Sequence, residues 1–267
     1  MDKNEDSSNI RSTNLIIKTI KSKDRPIIVP FGDMHYGSPN FNKQMFMKNL
    51  EWAYKNKNVY IIGMGDWLES STRHSVGAGV YEQKETVHEQ MDTIIKLFKP
   101  FADEGRLLGI TNGNHEDRIY DTSGFDVSRV MAEILGVKYF HNGGFFKLRI
   151  EDLEGNYKNY HIYATHGSSS ATLPYTKIKG CLKIANFIDA DIYLMGHVHD
   201  EQVHTQEFMS IDNRSGMIVS NNKYFVLTGH YLDWKDSYAQ KKNMIPSKQG
   251  TPKIKLHAKE KLIRVSL

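Results

Sequence analysis

Cysteine is almost absent from this chain of 267 residues, which contains Cys181 alone. A single cysteine cannot form a disulfide within the chain, and its scarcity excludes the cysteine-rich zinc sites that stabilise many small domains. Long apolar runs are also missing, and without about 18 consecutive apolar residues the sequence predicts no membrane-spanning helix. The first residues, MDKNEDSSN, lack the apolar core of a signal peptide, so we expect an intracellular, cytoplasmic protein.

Charge of one sign is not in large excess either, because the formal net charge is only +4. Apolar residues make up 39% of the chain and charged residues 25%, as in ordinary globular proteins. The positive charge is concentrated after Trp234, in Lys235, Lys241, Lys242, Lys248, Lys253, Lys255, Lys259, Lys261 and Arg264. This basic C-terminal extension, residues 235–267, can attract nucleic acid or can be an ordinary solvated surface.

Strand-like and helix-like segments alternate along the first two thirds of the chain. Short apolar runs predict strands at 26–31, 59–63, 106–111, 160–165 and 191–195. Periodic apolar positions predict helices at 41–54, 85–98, 126–135 and 177–188, the second of them ended by Pro100. The alternation predicts an α/β layered fold, and residues 201–228, with a turn signal at 212–216, predict a second, largely antiparallel sheet. Because these elements are interleaved, we predict a single domain over residues 1–267, with a flexible end at residues 1–11.

A polar cluster follows each of the five predicted strands. The clusters GDMH, GD, GNHE, HG and GHVH supply Asp33, His35, Asp66, Asn114, His115, His166, His197 and His199. In open α/β sheets, ligands bind beyond the carboxyl ends of the strands, so we expect these side chains along one rim. Glycines immediately precede several of them and allow close backbone approach, namely Gly32, Gly65, Gly113 and Gly196.

Seven of these side chains, all except His115, are suited to binding metal ions. They are too many for one tetrahedral zinc, but they suit two divalent cations that share a bridging carboxylate. Imidazole, carboxylate and amide oxygen without thiolate point to Mn, Fe, Zn or Ni. Each cluster alone has an ordinary explanation: TNGNHEDR (111–118) could be a polar turn that caps a helix, and His166 a structural histidine. Five such clusters in order, each at a strand end, favour the metal site.

In this order the clusters resemble the signature of the calcineurin-like metallophosphoesterases, over roughly residues 26–230. The resemblance implies a four-layer αββα sandwich of two mixed β-sheets flanked by helices, with a dimetal site at the sheet edge. It implies that Asp33, His35 and His199 hold the first metal together with Asp66. Asn114, His166 and His197 would hold the second, with Asp66 as the bridge. Manganese is the metal we expect first.

The resemblance also assigns catalytic roles to Asp66 and His115. A hydroxide held by the metals would attack phosphorus in line, while His115, which binds no metal, would protonate the leaving oxygen or stabilise its charge. Glu116 would either orient His115 or favour the N-terminus of the following helix.

The substrate is less defined by the sequence. The segment GDWLESS lacks the arginine of the GDxxDRG motif of protein serine/threonine phosphatases, which argues against that activity. Arg73 and His74, in the loop 70–83, could contact the phosphate or a base of the substrate, or could belong to an ordinary solvated loop. Arg118 could bind a phosphate oxygen or form a salt bridge on a helix surface. We expect a structural role for His230.

The motif GNHEDR and its spacing to GHVHD resemble phage and bacterial DNA-exonuclease-like members, which suggests a phage-encoded protein. Our first hypothesis is therefore a dimetal-dependent phosphodiesterase that acts on DNA or RNA. The alternatives are a phosphoesterase for nucleotides or cyclic nucleotides, and a nucleic-acid-binding protein with a structural metal site.

Overall fold

The structure is a computed structural model that describes residues 14–73, 75 and 80–267. The predicted flexible end at residues 1–11 and the candidate substrate residue His74 lie outside this range. The strands are β1 (Leu15–Lys21), β2 (Ile27–Phe31), β3 (Val59–Gly63), β4 (Leu107–Thr111), β5 (Lys138–Phe140), β6 (Gly144–Glu151), β7 (Tyr157–Thr165), β8 (Ile192–Met195), β9 (Glu201–Ile211), β10 (Ile218–Thr228), β11 (Lys253–Leu256) and β12 (Ile263–Ser266). The helices are α1 (Lys43–Lys55), α2 (Val87–Asp103), α3 (Asn114–Ser123), α4 (Val127–Leu135), α5 (Pro174–Ile184) and α6 (Tyr238–Lys241).

These strands form two six-stranded sheets. Sheet A has the order β1-β6-β7-β8-β10-β9, and sheet B the order β12-β11-β2-β3-β4-β5. Both are mixed: β2, β3, β4 and β5 run parallel in sheet B, whereas β11 is antiparallel to β2. In sheet A, β8 pairs parallel with β7 and with β10, and β10 pairs antiparallel with β9. Parallel neighbours end at the same edge, so the polar clusters that follow them are brought together.

Apolar side chains alternate between the two faces of each sheet and so create three buried layers. Ile28 and Ile62 of sheet B meet Phe146 and Ile162 of sheet A in the layer between the sheets. On the outer face of sheet B, helices α1, α2 and α4 contribute Phe46, Leu50, Ile94, Phe98, Met131 and Leu135. On the outer face of sheet A, α5 contributes Cys181 and Ile184. The predicted four-layer αββα sandwich of two mixed sheets is confirmed.

Helix α2 shows how packing overrides a local signal. Thr86 and Glu89 form a reciprocal capping box at its N-terminus. The prediction that Pro100 ends this helix is wrong, because α2 continues through Pro100 to Asp103. The extra turn buries Phe101 in the layer against sheet B, and this burial offsets the backbone hydrogen bond that proline cannot make.

The remaining differences from the sequence prediction concern the pairing of strands, the bounds of one helix and the C-terminal extension. Residues 201–228 form the expected antiparallel hairpin, but β10 joins β8, so the hairpin belongs to the mixed sheet A. Helix α5 begins at Pro174 and ends at Ile184, earlier than the predicted 177–188. The basic C-terminal extension contributes β11 and β12 to sheet B.

In the part of the chain that the structure describes, no helix is long and apolar enough to cross a membrane.

Candidate metal centre

The strand ends bring all seven predicted ligands to one edge of the sandwich. Asp33 and His35 follow β2, Asp66 follows β3, and Asn114 begins α3 just after β4. From sheet A, His166 follows β7, and His197 and His199 follow β8. The cluster therefore spans the ends of both sheets, and its ligands come from residues that are far apart in the chain.

One group of ligands is Asp33, His35, Asp66 and His199, whose donor atoms all lie within 4.8 Å of one another. The Nε2 atoms of His35 and His199 are 2.9 Å apart. His35 Nε2 lies 3.6 Å from Asp66 Oδ2, and His199 Nε2 lies 3.4 Å from Asp33 Oδ1. These are the four residues predicted to hold the first metal.

The second group contains Asp66, His166 and His197. Asn114 Oδ1 joins it, because it lies 3.1 Å from His166 Nε2 and 2.7 Å from His197 Nδ1. His166 Nε2 is also 3.3 Å from Asp66 Oδ2. The oxygen Asp66 Oδ2 thus faces both groups, which is the position expected of a bridging carboxylate.

The donor chemistry of this cluster fits divalent cations. His166 Nδ1 lies 2.8 Å from the carbonyl oxygen of Met64, which can only accept a hydrogen bond, so Nδ1 carries the proton and Nε2 has the lone pair. That lone pair faces two more acceptors, Asn114 Oδ1 and Asp66 Oδ2. His197 is similar, because Nε2 donates to the carbonyl oxygen of Ser169 at 3.2 Å and leaves Nδ1 to face Asn114. Acceptors this close repel one another unless a cation lies among them.

A proton on one of these atoms also relieves this repulsion, and the pKa values of the cluster reflect this. Burial opposes the charging of His166, but the carboxylates of Asp66 and Asp33 outweigh it and raise its pKa to about 10. Burial would likewise raise the pKa of Asp66, yet the charge of His166, the largest opposing cause, holds it well below its ordinary value. The cluster is an anionic site that attracts positive charge.

Five of the predicted ligands have a left-handed backbone, although none is a glycine. They are Asp33 (φ 48°), His35 (φ 49°), Asp66 (φ 47°), His197 (φ 69°) and His199 (φ 47°). Such a conformation is costly for ordinary residues and persists only where the surroundings enforce it. Its concentration at the ligands indicates that the turns after the strands are shaped to aim side chains inward.

The turn that carries Asp66 is fixed by Glu116 and by the N-terminus of α3. The buried Glu116 carboxylate accepts hydrogen bonds from the backbone N–H of Asp66 at 3.1 Å and of Leu68 at 2.9 Å. The N–H of His115 donates to Asp66 Oδ1 at 2.9 Å. Burial and the charge of Asp66 raise the pKa of Glu116 to about 7. Glu116 therefore positions the turn that carries Asp66, a role that neither alternative from the sequence includes.

His115 lies beside the predicted ligands but belongs to neither of the two predicted ligand groups. Its Nδ1 is 2.7 Å from the carbonyl oxygen of Glu69, to which it donates, so Nε2 has the lone pair. Arg118, one helical turn later, donates from Nη2 to this Nε2 at 2.9 Å. Burial, together with the charges of His35 and Arg118, lowers the pKa of His115 to about 4 despite the nearby Asp66. His115 is therefore neutral at pH 7 and accepts a hydrogen bond from Arg118.

Glu69 is a site residue that sequence reasoning missed. Its buried carboxylate lies 3.5 Å from His35 Nδ1 and 3.9 Å from His115 Nδ1, and it accepts a hydrogen bond from Ser71 at 3.1 Å. A carboxylate on the second nitrogen of a ligating histidine fixes its tautomer and its ring orientation. The signal was present in GDWLE, where an acidic residue follows the bridging aspartate by three positions.

Of the predicted substrate residues that the structure describes, one lies beside the candidate ligands and the other lies on an exposed loop. Arg118 lies against His115, and no carboxylate forms an ion pair with it among the described residues, so the alternative of a helix-surface salt bridge is not present there. Arg73 is exposed on the loop after Asp66. His230 is buried, and its ring stacks on that of His199, with 5.3 Å between the centroids.

No family model matches the sequence, and no curated protein matches it. Solved structures to which this chain is similar include a double mutant of Vps29 from Entamoeba histolytica, with 13% identity and a TM-score of 0.39 over 90% of this chain and 97% of that chain. They also include the calcineurin-like phosphoesterase YfkN from Bacillus subtilis, with 13% identity and a TM-score of 0.34 over 76% of this chain and 90% of that chain.

A third is a metallophosphoesterase from Sphaerobacter thermophilus, with 13% identity and a TM-score of 0.40 over 87% of this chain and 85% of that chain. Identities and TM-scores this low assign no activity to this chain. The ordered motifs, the sandwich of two mixed sheets and the cluster of candidate ligand side chains agree with what the resemblance to the calcineurin-like metallophosphoesterases implies.

Proposed function

We propose that the protein is a dimetal-dependent phosphodiesterase that acts on nucleic acid. The observation that carries the phosphoesterase activity is the convergence of lone pairs from Asp66, Asn114 and His166 at one point, with Asp66 shared between two ligand groups. Two divalent ions, manganese in our proposal, would supply Lewis acidity and lower the pKa of water, so that water attacks phosphorus at neutral pH. The products are a phosphomonoester and an alcohol.

The protein's own groups would position the substrate and stabilise the charge of the leaving oxygen. We assign the phosphate contact to Arg118, since its guanidinium is held by His115 beside the ligands and no carboxylate neutralises it within the described ranges. A guanidinium suits phosphate oxygens because it offers several donors in a fixed plane. His115 Nε2, 4.0 Å from Asp66 Oδ2, is close enough to the ligands to act on the reacting groups.

The protonation of His115 bears on which role it has. Because Nε2 accepts a hydrogen bond from Arg118 and the pKa is low, His115 has no spare proton there at pH 7. Orientation of Arg118, whose positive charge would stabilise the leaving oxygen, is therefore the role that the geometry supports better than direct proton donation. A phosphodiester needs such help more than an activated monoester, because its leaving alkoxide is a poor leaving group.

A second candidate, a phosphoesterase for nucleotides or cyclic nucleotides, is favoured by the ion pairs that the C-terminal lysines form. Lys248 pairs with Glu201, Lys259 with Glu154 and Lys261 with Asp191. Paired lysines contribute less to a phosphate-binding surface, so the positive charge of residues 235–267 argues less for nucleic acid than the sequence alone suggests.

The first experiment is hydrolysis of bis-p-nitrophenyl phosphate and of p-nitrophenyl phosphate by protein stripped with EDTA and resupplied with Mn²⁺. We expect Mn²⁺-dependent cleavage of the diester, abolished in Asp66→Asn and strongly reduced in His115→Ala. A preference for the monoester that survives His115→Ala would point to a phosphatase. Hydrolysis of neither ester by the metal-loaded protein would favour a binding protein with a structural metal site.

Radiolabelled single- and double-stranded DNA and RNA, followed by a panel of nucleotides, would then separate the two substrate classes. Cleavage of any of the polymers supports the nuclease proposal. If all of the polymers survive and nucleotides are turned over, the second candidate is correct.

A further inference from the structure

The metal ligand His199 depends on support from outside its own strand. Its backbone is left-handed, with φ 47°, and it is followed by the buried Asp200 and Glu201, which lead into β9. A non-glycine residue keeps this conformation only when its neighbours hold it.

Ser247, in the basic C-terminal extension, makes the contact. Its hydroxyl donates to the carbonyl oxygen of His199 at 2.5 Å. Ser247 Oγ in turn lies 2.8 Å from His230 Nε2. The N–H of Leu232 donates to His230 Nδ1 at 3.2 Å, so the proton of the neutral imidazole is on Nε2 and is donated to Ser247. The chain of donors thus runs in one direction, from His230 through Ser247 to the backbone of His199.

His230 supports His199 a second time through its ring. The two imidazoles are nearly parallel, with an interplanar angle of 13° and centroids 5.3 Å apart. One neighbour therefore restrains both the backbone carbonyl of the ligand, through Ser247, and its side-chain ring. His197, the other ligand of the same turn, is held instead by the carbonyl oxygen of Ser169.

Two further contacts fix the segment that carries Ser247. Lys248 Nζ lies 3.1 Å from the Glu201 carboxylate, whose side chain is only 2% exposed. The N–H of Gly250 donates to the carbonyl oxygen of His230 at 2.9 Å. Residues 247–250 are thereby tied both to the strand that follows His199 and to the strand end that carries His230.

We propose that residues 247–250 form a C-terminal latch that holds His199 in its metal-binding conformation, with Ser247 and His230 as positioning residues. The proposal rests on the proposed metal centre, but it concerns the affinity of one of the two sites and not the reaction. It gives the basic extension a role at the ligands that is independent of nucleic acid. Loss of the latch should weaken the site of Asp33, His35 and His199 and spare that of Asn114, His166 and His197.

The test is a calorimetric titration of EDTA-stripped protein with Mn²⁺. We expect Ser247→Ala to weaken one of the two binding events by roughly tenfold, as is usual when a supporting contact of a ligand is removed. His230→Phe, which keeps a ring for stacking but cannot donate to Ser247, should weaken the same event. Asn114→Ala should weaken the other event and so identifies which one belongs to His199.

Ser237→Ala is the matched control. Ser237 lies in the same extension, and its hydroxyl also donates to a backbone carbonyl, that of Trp234 at 2.6 Å, but it touches no ligand. We expect it to bind Mn²⁺ as the wild type does, even if urea unfolding without metal shows an equal loss of stability. The latch is overturned if Ser247→Ala and His230→Phe bind Mn²⁺ like Ser237→Ala. A wild-type protein that binds no Mn²⁺ would overturn the metal centre and the latch together.

Discussion

Replacement of Gly113 by alanine tests whether the bridging carboxylate is packed as the structure describes. Gly113 precedes α3 with φ −130° and ψ 165°, a conformation open to any residue. The substitution therefore carries no penalty from backbone angles, and its effect reports only on the space around the Cβ atom. That space is occupied by Asp66 and by Glu116, which holds the Asp66 turn.

The expected loss of stability and of metal affinity follows from the contacts that a Cβ atom at position 113 would make. It would lie 2.1 Å from Asp66 N, 2.3 Å from Asp66 Oδ1 and 2.7 Å from Glu116 Oε2. Because Cβ atoms essentially never approach other atoms within 3.0 Å, Asp66 or the start of α3 must move by about 1 Å. Such overpacking costs about 1–3 kcal/mol of unfolding free energy. Metal–ligand distances tolerate only about 0.2 Å, so both metals should bind at least roughly tenfold more weakly.

The assay combines urea unfolding in EDTA with a calorimetric Mn²⁺ titration. Gly136→Ala is the control, since Gly136 has φ 68° and a Cβ there would meet nothing within 4 Å. We expect this control to lose about 1 kcal/mol through its backbone angle alone and to bind Mn²⁺ normally. If Gly113→Ala bound both ions as tightly as Gly136→Ala does, the packing of Asp66 against α3 would be refuted as the basis of the site.

Four further predictions concern His166 and two groups beside the candidate ligands. Glu116→Gln should lower the unfolding free energy in EDTA by about 1–3 kcal/mol, because the amide group faces one of the two backbone N–H donors and leaves it unpaired; an unchanged urea midpoint would contradict this. Arg118→Gln should lower kcat/KM for the diester by about 10–100-fold while Mn²⁺ affinity, measured by calorimetry, stays the same; a parallel loss of affinity would place Arg118 in the metal site. Since the pKa of His166 is raised to about 10, metal binding must displace its proton, so Mn²⁺ affinity should fall as the pH falls, by up to about tenfold per pH unit. The same raised pKa means that, in EDTA, the stability from charged His166 is fully present below about pH 6.5 and is lost as the pH rises through about 10; a stability that rises over that interval would contradict this sign.

The meeting of the candidate ligands at one sheet edge was predictable because it follows directly from local sequence. Each donor lies within a few residues of the end of an apolar run, and parallel strands must place their carboxyl ends at a common edge. Val59–Gly63 was predicted with its observed bounds, and Asp66 lies three residues beyond it. The glycine at position 113 also follows from this pattern, because a crowded turn leaves no room for a side chain.

Packing decided the features that local patterns could not. Helix α2 passes Pro100 because Phe101 is buried by the additional turn. The 201–228 hairpin joins sheet A because β10 pairs with β8, a pairing that no short segment specifies. The extension 235–267 looked like a solvated basic tail in the sequence, yet β11 is antiparallel to β2 in sheet B.

The sequence by itself determined which candidate ligand side chains would lie together at the sheet edge, since residue type and strand-end position suffice for that. Only the tertiary structure decided how those side chains are held. Glu116 reaches the backbone of Asp66 across 50 positions, and Ser247 reaches that of His199 across 48. A hydrogen bond depends on atoms that meet in space, and a sequence shows only which neighbours share a segment, so these supporting contacts became visible once the two sheets were packed together.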